Sequence, residues 1–392
     1  MDSWIRRHSV FLLAFSFLLF CGSWFVLFAV DTTFNSVDCN LDRNLPAPCY
    51  QQEPDVPRYI TQARNQDVAQ WFGFFRSVWN PDSNDAPRSE NKLFGGIGLT
   101  NILVLFVIKI GMTLVPGAPY LGAYFVQLAL LPVFYICLRR LAVRIPDHLH
   151  NLFYAVCLLG PITLVGIVSP AKEYLSLLFV TAMAVCALEK RRMLLIILAF
   201  VSPMVREVNI LIGALFFLLT FQKVRFWYLA VAFSLAIPMV NLAVPGFKML
   251  RSTWSLWLNE GSSFILSPLA TIQDLPFGHL VAAPLIFAVN ILGPAVGPSV
   301  YQAYFQGTFG FYQLMGVLAA DVCIIAGGQA LWGCWRYKLW SHPFVGFLGS
   351  IILATAVLPL NQFRYYYPIW PLVFALALIV SVRPPKTPEE NP

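Results

Sequence analysis

Charge is missing from long stretches of this chain. Val10–Val30, residues 119–138, residues 226–244 and residues 365–382 contain no acidic or basic side chain. Runs of this kind approach the roughly 20 apolar residues that a helix needs to cross a bilayer. Backbone amides in hydrocarbon are satisfied only inside a helix or a closed barrel. With 58% hydrophobic and only 11% charged residues, the chain reads as an all-α, polytopic integral membrane bundle forming one membrane domain over residues 1–392. Val10–Val30 exceeds the roughly 7 to 15 residue core of a signal peptide and lacks a clean small-residue cleavage site, so it reads as a retained first helix.

The net charge of +7 comes largely from short clusters between apolar runs. They are Arg6 and Arg7; Arg139, Arg140 and Arg144; Lys190, Arg191 and Arg192; Lys223 and Arg225; Arg336 and Lys338; Arg383 and Lys386. Such clusters orient spans, with the basic side cytoplasmic, and they exclude a nucleic-acid partner as the reason for the charge. Keeping all of them inside requires about ten crossings: Val10–Val30, 119–138, 150–170, 173–189, a short pair within 193–220, 226–244, 311–334, 342–360 and 365–382. Both termini and the tail 384–392 are then cytoplasmic. Two apolar segments, 94–115 and 278–298, would invert this charge pattern if they crossed, so they are expected to lie in the outer interface or to be re-entrant. The extracytoplasmic parts are the first loop, 31–93, and the loop 245–310, which contains the second of these segments.

This topology gathers the unusual polar residues on the outer side. Asp55 and Arg58 lie in the first loop, Lys172 and Glu173 in "SPAKEY", and Arg206 and Glu207 in "SPMVRE". Lys248, Arg251 and Glu260 follow in a fourth loop, and Arg364 in "NQFRYYY". Ionisable side chains at the ends of spans are functional candidates. The plainer reading makes Lys172 with Glu173, and Arg206 with Glu207, interfacial neighbours reaching for headgroups, and makes Tyr365 and its neighbours an aromatic belt. Asp321, inside the span 311–334, would pair within the bundle. Cationic side chains at headgroup depth suit a lipid-linked phosphate, and a carboxylate opposite them suits a general base for an acceptor hydroxyl. Cys39 and Cys49 in the first loop fit a disulfide in an oxidising compartment, whereas Cys157, Cys186 and Cys323 in apolar runs, and Cys137 and Cys334 near the ends of theirs, fit packing. No cysteine or histidine spacing resembles a metal site. The outer carboxylates available to a divalent ion are Asp55, Glu173, Glu207 and Glu260, and the residues specify neither that ion nor any other cofactor.

Three stretches resemble the GT-C superfamily of membrane glycosyltransferases, in the branch of the aminoarabinose and protein mannosyl transferases. "DVPRYITQAR" is similar to the D-x-x-R-Y pattern that follows the first helix. "NILVLFVIKIGMTLVPGAPYLGAYFVQLALLPVFYICLRRLAVR" is similar to an interfacial helix, a Gly-containing turn and a helix ending in basic residues. "RYYYPIWPLVFALAL" is similar to the R-Y-x-x-P-x-x-P opening of a late helix. The Pro-Pro-Leu-like stretch often found before the interfacial helix is missing. The resemblance implies sugar transfer from a polyprenyl-phosphate donor to a cell-envelope glycan or lipid on the outer face of the cytoplasmic membrane. It implies Asp55 as catalytic base with Arg58 and Tyr59 beside it, and Arg364 and Tyr365 near the donor phosphate; Lys172, Glu173, Arg206 and Glu207 are further substrate-binding candidates from their outward position. A second likeness, "SPAKEYLSLLF" to a Lys-Glu helix start in polymerases of O-antigen and exopolysaccharide synthesis, keeps open a polymerase acting on pyrophosphate-linked repeats alongside polysaccharide-assembly proteins. A lipid-linked sugar transporter or flippase is the non-enzyme alternative.

Overall fold

The computed structural model describes Ala63, residues 102–116, 119–168, 172–243, Ile272, 275–296, 311–357 and 363–382. Every regular element among these residues is helical. Two apolar stretches, Gly122–Ala142 and Val317–Arg336, are long enough to cross a membrane.

The first described unit is a helical hairpin. α1 (Ile102–Leu114) and α2 (Pro119–Ala129) pack closely against each other. Their approach is set by Gly111 and Gly122: a Cβ on Gly122 would fall on the Gly111 carbonyl, and one on Gly111 would fall on the backbone at Ala123. Side chains at either position would force the two backbones apart. The described part of the segment 94–115 is thus a helix folded back on its successor.

α2 leads with little interruption into α3 (Leu131–Ala142), which carries Arg139 and Arg140 in its last turn. α4 (His150–Leu159) and α5 (Pro161–Val168) are one helical run broken at Gly160–Pro161. Pro161 has no N–H to give the Cys157 carbonyl four residues back. The Thr163 hydroxyl donates to that carbonyl instead, at 2.5 Å.

α6 (Lys172–Leu188) is the axle of the bundle. Nearly every residue from Glu173 to Ala187 is buried, and α6 packs on α3, on α7 (Arg192–Val201), on α8 (Val208–Thr220) and on the 3-10 segment Phe363–Ile369. A helix that is apolar on all sides belongs in the interior. α7 and α8 form the short pair expected within 193–220, joined through a 3-10 turn at Ser202–Met204. α9 (Phe226–Ala243), α10 (Gly278–Val296), α11 (Phe311–Arg336), α12 (Pro343–Thr355) and α13 (Trp370–Ser381) complete the described helices. Cys137, Cys157, Cys186, Cys323 and Cys334 are buried free thiols that fill the core as small apolar groups.

The basic clusters mark tight helix ends. Lys190, Lys223 and Lys338 adopt left-handed backbone conformations, with φ of 57°, 52° and 53°. Around Lys190 the Arg191 amide donates to the Cys186 carbonyl, the wrap-around bond that closes a helix at a left-handed residue, and next to Lys223 the Val224 amide donates to the Leu218 carbonyl six residues back. Glu189 binds Arg191 at 2.6 Å and Arg140 at 3.4 Å. Two of the clusters therefore meet at the C-terminal end of α6.

Candidate functional site

The opposite end of α6 carries the strongest polar feature in the described structure. Glu173 in its first turn accepts a 2.7 Å hydrogen bond from Arg206, and the two side chains are only 3% and 2% exposed. Arg206 sits between the 3-10 turn and α8, where its amide donates to the Ser202 carbonyl. One turn deeper the pattern repeats: the Ser176 hydroxyl donates to the Asn209 side-chain carbonyl at 3.0 Å. The pairs Glu173/Ser176 and Arg206/Asn209 each have the i, i+3 spacing that puts side chains on one helical face. Together they form a two-rung polar ladder between α6 and the start of α8.

Glu173 reaches across to Arg206 on another element, and Glu207 is exposed while its neighbour Arg206 is buried. The burial has an electrostatic reason. A charge at this depth is tolerated only beside its complement, and residues 33 positions apart supply one another. Lys172 is half-buried at the mouth of the same helix.

Around the ladder the remote motifs come together. Ala63, eight residues after Asp55 in the "DVPRYITQAR" stretch, is helical and fully buried. Its carbonyl accepts a 3.0 Å hydrogen bond from the Lys109 ammonium of α1. Ala63 shares an apolar cluster with Ile102, Leu105 and Ile108 of α1, with Leu175, two residues past Glu173, and with Val205, next to Arg206. Ala63 of the first loop, the α1–α2 hairpin and the residues adjoining both halves of the ion pair therefore share one patch. The "RYYYPIW" motif forms a 3-10 segment, Phe363–Ile369, packed on α6. Tyr366 and Trp370 are buried there in one core cluster with Tyr174, and Phe134 meets Tyr174 edge-on. The buried Tyr366 and Tyr367 are core residues and not the aromatic belt of the plainer reading.

No family profile, curated protein or solved structure matches this chain. The site is read from its own geometry. Asp55, Arg58, Tyr59, Lys248, Arg251, Glu260, Cys39 and Cys49 lie outside the described residues. Arg364 and Tyr365 are described as backbone, on the 3-10 segment against α6. Among the described residues no three His, Cys, Asp or Glu side chains converge as metal ligands.

Sequence reasoning missed three members of this region: Lys109, Ser176 and Asn209. The last two were legible as polar residues one turn after an ionisable one on otherwise apolar helices. Lys109 was legible as the sole charge within "NILVLFVIKIGMTL". Asp321, expected to pair inside the bundle, is instead on the exposed side of α11.

Proposed function

We propose that the chain is a polytopic membrane glycosyltransferase. In this reading it moves a sugar from a polyprenyl-phosphate carrier to an envelope acceptor, at a site around the N-terminal end of α6 on the extracytoplasmic side. The observation that carries this reading is the shared apolar patch. Ala63 of the first loop, the α1–α2 hairpin and the segments holding Glu173 and Arg206 meet there, although they are remote in sequence. The segment bearing Arg364 packs on the same helix. The opposite end of α6 gathers Arg140, Glu189 and Arg191, which accords with a cytoplasmic basic end and an outer site across about ten spans.

The roles divide by burial. Arg206 is neutralised by Glu173 at 2.7 Å, so this pair acts as a strut that sets the spacing of α6 and α8 and offers little net field to an anion. Binding of the donor phosphate falls to Arg364, with Lys172 at the mouth of α6 and Tyr365 beside it. An arginine guanidinium matches phosphate bidentately. Asp55, with Arg58 and Tyr59 in the first-loop stretch that also contains Ala63, takes the proton from the acceptor hydroxyl as that oxygen attacks the anomeric carbon. The bond from that carbon to the phosphate oxygen breaks, and prepositioned cations stabilise the departing phosphate.

The test is transfer from polyprenyl-phosphate sugars by the purified chain. Asp55→Asn is expected to abolish turnover in a folded protein, and Arg364→Ala to weaken donor binding. Near-normal activity in both variants overturns the assignment. Labelling of Lys172 and Glu207 positions by a membrane-impermeant reagent from the cytoplasmic side would overturn the topology.

A further inference from the structure

α11 has two faces. Its inner face is built of small residues, Ala319, Ala320, Cys323, Ala326, Ala330 and Cys334, all buried and packed on α5, α10 and α13. Its outer face carries Asp321, Ile325, Gly328, Trp332 and Trp335, all exposed. Their spacing of 4, 3, 4 and 3 residues is the seam along which two helices interlock. Gly327 and Gly328 have open space where a side chain would project, so a second backbone can approach closely there, as small residues allow between membrane helices.

Asp321 makes this face incomplete. It lies on the apolar stretch Val317–Arg336, and among the described residues it has no hydrogen bond or ion pair. An ionisable side chain within a span normally faces the bundle interior and is paired, because exposure to hydrocarbon is costly. A second copy docked with parallel helices would set Asp321 against Asp321, a like-charge contact. A helix bearing lysine or arginine at that depth supplies both the complementary charge and the hydrogen-bond donors.

We infer that the seam Asp321–Ile325–Gly328–Trp332 is the docking face for a transmembrane helix of a partner protein that carries a basic residue near its middle. The inference depends on α11 spanning the bilayer and is independent of the proposed transfer reaction.

The experiment uses the full chain in vesicles with the photoreactive p-benzoylphenylalanine at position 325. It is mixed with transmembrane peptides of about 20 apolar residues that carry a central lysine, leucine or glutamate. The lysine peptide is expected to be captured at least about tenfold more than the leucine peptide, and Asp321→Asn to erase that preference. Equal capture of the two peptides, an unchanged preference in Asp321→Asn, or capture only of a second copy or of another segment of the same chain overturns the inference. Photo-adducts with lipid acyl chains report whether position 325 lies in hydrocarbon. Their absence overturns the spanning assignment on which the seam rests, and their presence together with equal peptide capture overturns the seam alone.

Discussion

The buried ion pair gives the sharpest energetic prediction. Arg206→Met preserves much of the side chain's apolar length and leaves the Glu173 carboxylate, 3% exposed, without its guanidinium. Glu173→Gln does the converse. Removing one partner of a buried pair costs about 3 to 5 kcal/mol, because the remaining charge loses its buried complement. The double variant strands no charge, so its cost should fall short of the sum of the single costs by about 2 to 4 kcal/mol. An exposed pair would couple by no more than about 1 kcal/mol, and polar contacts between membrane helices average about 0.6 kcal/mol. Unfolding free energies of the four proteins, measured by steric trapping in mixed micelles, resolve these cases. A coupling under about 1 kcal/mol would refute the claim that the pair is both buried and mutually dependent.

Three further outcomes follow from the packing. Gly122→Val drives its Cβ into the Gly111 carbonyl, so the α1–α2 hairpin should open at a cost of about 1 to 3 kcal/mol or more; an unchanged thermal midpoint in detergent would contradict that close approach. Lys109→Met removes the donor to Ala63, and limited proteolysis should then cut the first loop several-fold faster with the helical bundle still intact, whereas an unaltered cleavage rate would detach Lys109 from any role in holding that loop. Lys190→Gly relieves a side chain from a left-handed backbone and should raise stability by about 1 kcal/mol; a loss of stability would show that the Lys190 side chain contributes more than its backbone strain costs.

The helical identity of most apolar runs was legible because it is local: a run such as residues 226–244 has no charge to solvate and must close its own hydrogen bonds, and α9 covers nearly the same residues. The interruption at "SPMVRE" was legible for a similar reason, since Pro203 with adjacent charged residues ends an apolar helix, and α7 and α8 separate there. The folding back of α1 on α2 was harder to see. It rests on two glycines, Gly111 and Gly122, whose importance lies only in what stands opposite them.

The sequence by itself determined a helical chain, the segments that are apolar, the residues that terminate them and the set of ionisable side chains left without an obvious reason. Only the tertiary structure decided which of these meet. Adjacent Lys172–Glu173 and Arg206–Glu207 invited a reading by neighbours, and nothing in their order along the chain set Glu173 against Arg206. Glu173 turned inward, found Arg206 from another element and left Glu207 exposed. The same distinction governs Asp321, which a one-dimensional reading placed inside the bundle and the packing of small residues on the other face of α11 turned outward. Local preference specifies an element from its own residues, but the energy of a buried charge depends on what surrounds it, and that is known only once the elements have packed.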